Sequence, residues 1–115
     1  MELVALLSSG AGTLGQVTGL VNRGEWDNVI LISTPSAENF TTEKKHDFIK
    51  VSSSRLTDLK DEIMSKLKGK IKDTEVALSI ASGDGKEHMA LISALLSIPV
   101  GIRFVALTKD GIVYM

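Results

Sequence analysis

Lys86 stands in the stretch Ser82-Gly83-Asp84-Gly85-Lys86, and three hydroxyl residues, Ser8, Ser9 and Thr13, stand in Ser8-Ser9-Gly10-Ala11-Gly12-Thr13. These are the residues whose types and spacing point to chemistry. A lysine ammonium and serine or threonine hydroxyls are donors. Glycines leave the backbone N–H groups beside them uncovered, so both stretches suit an anion, phosphate above all. The first stretch, continued to Gly15, also contains the spacing G-x-G-x-x-G at Gly10, Gly12 and Gly15. That spacing raises the question of a dinucleotide such as NAD or FAD.

The residues that follow argue against a dinucleotide. Such a site needs an acid at the end of the second strand to hold a ribose hydroxyl. Here that strand runs into Ser33-Thr34-Pro35-Ser36, and the first acid beyond it is Glu38. The second stretch is not a Walker A loop, because no Ser or Thr follows Lys86 and the leading glycine is missing. A lysine in the first turn of a helix opposes the helix dipole, and an anionic ligand would offset that cost; a lysine turned to solvent is the simpler alternative. For the first stretch the simpler alternative is a tight strand-to-helix turn that only glycines fit.

Other chemistries find little support. Cysteine is absent, which excludes thiolate metal sites and cysteine nucleophiles and fits a reducing, cytoplasmic compartment. His46 and His88 lie far apart with scattered acids, so no metal spacing emerges. His46 reads as a solvated residue of a polar segment and His88 as a packing residue near a helix start. Asp84 and Glu87 have capping-box spacing. A net charge of −1 argues against duplex nucleic acid as a partner. The longest apolar run, Met89 to Val100, is too short to span a membrane, and no signal peptide is visible.

The elements that must position these residues follow from periodicity. Continuous apolar or β-branched runs at 2–8, 27–33, 48–52, 75–81 and 101–108 read as strands, with a turn at Lys109-Asp110-Gly111 and a short strand 112–115 after it. Apolar residues at spacings of three and four predict helices over 13–23 and 55–71, the second with Ser54 as N-cap. A third helix begins near Gly85, apolar on nearly every face over 87–97, which predicts deep burial or a subunit interface. Segment 35–47 reads as polar connection. With 115 residues the chain is predicted to be a single α/β domain, a three-layer sandwich with a mainly parallel, Rossmann-like sheet, helices on both faces and a C-terminal hairpin. In such folds ligands sit at the carboxyl ends of the strands.

The stretch SGDGKEHMALISALL followed by GIRFVAL, together with SSGAGTLG after the first strand, resembles the CRISPR-associated Rossmann-fold sensor domains, the CARF domains. The resemblance is carried by both ends of the chain; residues 35–75 follow it only in the order of elements. It implies a homodimer with a shared pocket for a cyclic oligoadenylate, in which Ser8, Ser9, Gly10, Gly12 and Thr13 meet the ligand from one side and Ser82, Gly83, Asp84, Gly85 and Lys86 from the other. It also implies that a stand-alone unit is a binding module, a partner subunit or a metal-independent ring nuclease, with Lys86, Ser9 and Thr13 as the catalytic candidates and no cofactor. A small mononucleotide- or sugar-phosphate-processing enzyme and a non-catalytic assembly subunit remain as alternatives.

Overall fold

The structure, a computed structural model, describes residues 1–8 and 11–115, the side chains at 11 and 12 apart. Its elements run β1 (Glu2–Leu7), α1 (Ala11–Arg23), β2 (Val29–Ser33), a 3-10 turn (Pro35–Ala37), β3 (His46–Lys50), α2 (Leu56–Leu67), β4 (Glu75–Ser79), α3 (Gly85–Ser97), β5 (Gly101–Thr108) and β6 (Gly111–Tyr114). The sheet order is β3-β2-β1-β4-β5-β6. The first five strands are mutually parallel, and β6 turns back antiparallel on β5. This is the α/β sandwich expected from the alternation of patterns.

Period-two alternation sorts the strand side chains between the two faces. Val4, Leu6, Ile30, Ile32, Val76 and Leu78 face α2 and α3, against Leu59, Ile63, Leu91 and Leu95. Leu3, Ala5, Leu7, Leu31 and Ala77 face α1, against Val17, Leu20 and Val21. Every residue of β1 and β2 is buried, which is why Leu3 to Leu7 and Val29 to Ile32 read as apolar runs rather than alternating ones. Each buried Leu, Ile or Val contributes roughly 1.5–3 kcal/mol, so the central strands supply much of the core's stability.

Several boundaries shift from the sequence expectation. β3 begins at His46 rather than Phe48, because an edge strand with one neighbour needs little apolar surface and its first residues are only half-buried. α2 stops at Leu67 rather than Ile71; Gly69 takes φ +79° just beyond it, and Ile71 packs on the core from outside the helix. Ser54 is not the N-cap. That position belongs to Arg55, which makes no side-chain capping bond. β4 ends at Ser79, two residues early.

α1 is tied to β5 as well as to β1. The Gln16 side-chain amide donates from Nε2 to the Leu107 carbonyl at 2.8 Å and accepts the Leu107 N–H at Oε1, 3.3 Å away. Gly19 faces the same residue so closely that a Cβ there would come within 2.2 Å of Leu107 Cδ2. Among the described residues no helix is long and apolar enough to cross a membrane.

Candidate functional site

Because β1 to β5 are parallel, the segments after β1, β2, β3 and β4 all emerge at one rim of the sheet. β1 is the switch point: its chain crosses to β2 on one side while β4 pairs on the other. The segments after β1 and β4 therefore leave adjacent strands and open α1 and α3, which lie on opposite faces.

Hydrogen bonds join these two segments directly. The Ser8 N–H donates to Ser82 Oγ at 2.8 Å, and the Ser8 hydroxyl donates to Glu87 Oε2 at 3.1 Å. Ser8 and Ser82 are both buried, so these bonds satisfy polar groups that water does not reach. The chain of hydroxyls continues from Ser8 to Thr34 Oγ1, 3.1 Å away, and on to Ser36 Oγ at 2.8 Å. The residues after β2 thus belong to the same network.

The start of α3 is held by a complete capping box. Glu87 N–H donates to Asp84 Oδ1 at 2.8 Å, and Asp84 N–H donates to Glu87 Oε1 at 3.0 Å. Glu87 is therefore both cap and bridge, one oxygen closing its own helix and the other holding Ser8. Gly83 sits at φ +100°, and a Cβ there would come within 2.6 Å of Leu6 Cδ2 and 2.9 Å of Glu87 Oε1. Only glycine fits this turn. Gly85 faces open space, and the N–H groups of Gly85 and Lys86 have no acceptor among the described residues. They are the first two amides of the helix, where the dipole is positive.

Lys86 is exposed, but it does not simply extend into water: its Nζ donates to the Ser54 carbonyl at 2.6 Å. Beside it lies a cavity of about 190 Å³ with an apolar floor of Val51, Leu59 and Pro35 and a polar wall from Ser52, Ser53 and Ser54. The serine segment is itself fixed from below. Glu62 Oε1 accepts the N–H groups of Ser52 and Ser53, while Lys66 pairs with the other oxygen. Burial alone would push the Glu62 carboxyl up; the Ser53 N–H, the Lys66 ammonium and the Ser52 N–H outweigh it and hold the carboxyl at about 2.

Of the residues singled out by sequence, Ser8, Ser82, Gly83, Asp84, Gly85 and Lys86 are gathered at this rim, with Gly12 and Thr13 in the first turn of α1. Ser9 and Gly10 lie outside the described residues. His88 packs with Nε2 2.9 Å from the Ser82 carbonyl. His46 is at the opposite end of the sheet, in β3, edge-on to Phe48.

The sequence reading had no site role for Thr34, Ser36, Ser52, Ser53 or Glu62, and it gave Ser54 and Glu87 only capping roles. The run Ser33-Thr34-Pro35-Ser36 was itself a signal, since small hydroxyl residues after a buried strand repeat the pattern of the first loop. Ser79, at the end of β4, adds a buried hydroxyl with no partner among the described residues. Those residues contain no group of three or more acids or histidines placed to hold a metal ion.

The arrangement offers donors to an anion. Two uncovered amides, the Lys86 ammonium and the positive ends of two helices lie at this rim, while the acids present, Asp84 and Glu87, are engaged by N–H or O–H groups of the protein.

No family model matches the chain, and no curated protein sequence does. Among solved structures it is similar to Can2 from Sulfobacillus thermosulfidooxidans in complex with cyclic tetra-adenylate, with a TM-score of 0.65 at 16% identity. The match covers 99% of this chain and 34% of Can2, so the chain spans about a third of that protein's length. The likeness is one of fold.

Proposed function

We propose that this chain is a single CARF-type domain that binds a cyclic oligoadenylate at the carboxyl rim of its sheet, as one half of a symmetric dimer. One observation carries the reading: the two helix-opening turns are hydrogen-bonded to each other across the switch point, with Lys86 beside an open cavity. The similarity of fold to a protein that was solved with cyclic tetra-adenylate supports the choice of ligand.

In this reading the amides of Gly85 and Lys86 and the Lys86 ammonium take phosphate oxygens, the ammonium leaving the Ser54 carbonyl to do so. Ser9, Gly10, Gly12 and Thr13 approach the ring from the α1 side. A two-fold symmetric ligand would meet each donor twice across an isologous interface. The exposed side chains Met89 and Leu96 on α3 and Val113 and Tyr114 on β6 supply apolar surface for that interface.

The test is a panel of cyclic tetra-adenylate, cyclic hexa-adenylate, ATP and NAD, read by melting temperature and by chromatography of the products. At a hundredfold excess over Kd, binding adds about 2.7 kcal/mol, several degrees for a chain of this size. A ring that raises the melting temperature while NAD does not supports the reading. No shift with any adenylate ring overturns it, and a shift with ATP alone favours a mononucleotide site. Ring opening would appear in the same samples as linear products ending in a 2′,3′-cyclic phosphate, formed when a ribose 2′-hydroxyl attacks the adjacent phosphorus and the 5′-oxygen leaves. Lys86, Ser9 and Thr13 are then the residues that steady the phosphate. Sedimentation checks the dimer.

A further inference from the structure

A cavity of about 440 Å³ lies at the other rim, where β1, β2 and β3 begin and the connection from α2 to β4 passes. Its lining is charged and includes Glu2, Asp47, Asp73, Lys45 and Lys72. Glu2 is the unusual member. The residue is only 2% exposed, yet it carries a carboxylate at the start of the central strand.

One of its oxygens is fully used. Oε1 accepts the N–H groups of Lys72 at 2.7 Å and Asp73 at 3.0 Å, which pins the turn before β4. The other, Oε2, is buried without any hydrogen-bond partner among the described residues. A buried carboxylate oxygen left without a donor is costly, and native structures rarely keep one without a reason. The neighbouring acids are better served: Asp27 and Asp73 face the amino group of Met1, and Asp47 accepts from Asn28 Nδ2 at 3.1 Å. Oε2 of Glu2 is the acceptor left over.

A carboxylate oxygen can only accept, so the missing group is a donor, and a charged donor is favoured over a neutral one in a carboxylate-lined site. The described residues form no cluster suited to a metal ion. Lys45 and Lys72 on the lining oppose a ligand with several positive charges. We propose that this cavity binds a small organic cation with a single ammonium or guanidinium head, whose N–H donates to Oε2 of Glu2. This site is separate from the carboxyl rim and does not depend on what binds there.

The amides of Lys72 and Asp73 report on Glu2 directly. In the 15N-labelled full chain, methylguanidine or methylamine is expected to move both amide resonances saturably. Tetramethylammonium, which has charge but no N–H, is expected to leave them in place. Glu2→Gln keeps an acceptor for the two amides while replacing the other oxygen by an NH2 group, and should weaken binding about tenfold or more. Absence of a saturable shift with any N–H cation overturns the proposal. So does equal affinity in the Gln variant, an equal response to tetramethylammonium, or a response to magnesium or calcium alone. The tetramethylammonium comparison uses only the unaltered chain, so the proposal stays testable if the variant folds poorly.

Discussion

At the carboxyl rim of the sheet the buried polar groups are short and uncharged: Ser8, Thr34 and Ser82 pass hydrogen bonds to one another and to the cap of α3. At the amino rim the buried group is the Glu2 carboxylate, surrounded by longer charged side chains from other segments. Helix polarity accounts for part of this contrast. The rim from which helices start offers backbone N–H groups and a positive dipole, so small residues that leave those groups uncovered suffice to attract an anion. The opposite rim receives helix ends, and side chains must supply the charge there. The two proposed sites therefore call for ligands of opposite sign.

The comparison can be broken most sharply at Gly83. Gly83→Ala forces a side chain onto φ +100° and into Leu6, and is expected to cost about 2–3 kcal/mol, read as a lower denaturation midpoint, with loss of adenylate binding. At the other rim, Glu2→Ala removes the acceptor of two backbone amides and should cost about 2 kcal/mol without lowering affinity for a cyclic adenylate. If it does lower that affinity, the rims are coupled rather than independent. Ser82→Ala orphans the buried Ser8 N–H and is expected to cost about 1–2 kcal/mol and to weaken ligand binding through misplacement of the first turn.

Glu62 sharpens the contrast by pH. Its carboxyl is lowered from 4.5 to about 2 in the folded chain, so the stability it contributes is fully present above pH 4.5 and is lost as pH falls toward 2. Glu62→Gln should flatten that part of the acid stability curve. The smallest effect on stability is expected from Lys86→Ala. The side chain is exposed and, among the described residues, its hydrogen bond is to one carbonyl, so the melting temperature should barely change while adenylate affinity falls about tenfold. Unchanged affinity would mean that the lysine holds the serine segment and nothing else.

The parts legible in the sequence were those that repeat a local rule. β1, β2 and β4 announce themselves as apolar runs because each is buried on both faces, and the capping box at Asp84 and Glu87 depends on residues three apart. β3 was less legible, since an edge strand can begin with His46 and Asp47. The serine segment could not be read in advance. Its place beside Lys86 is created by a contact across 32 positions and by Glu62 reaching back from the next helix, and no spacing encodes either. Glu2 was read only as the head of the first strand, with no role of its own; its burial follows from β1 being central, as the strand order shows.

The paired bonds between Gln16 and Leu107 have a mechanical consequence. β4 ends at Ser79 while β5 runs on to Thr108, so the last stretch of β5 outlasts its parallel neighbour, and a carboxamide takes up both peptide groups of Leu107. A side chain thus substitutes for a missing length of strand, and it anchors α1 within its second turn. From Gln16 onward the helix is therefore fastened to the sheet at the far end of β5 rather than held by apolar packing alone.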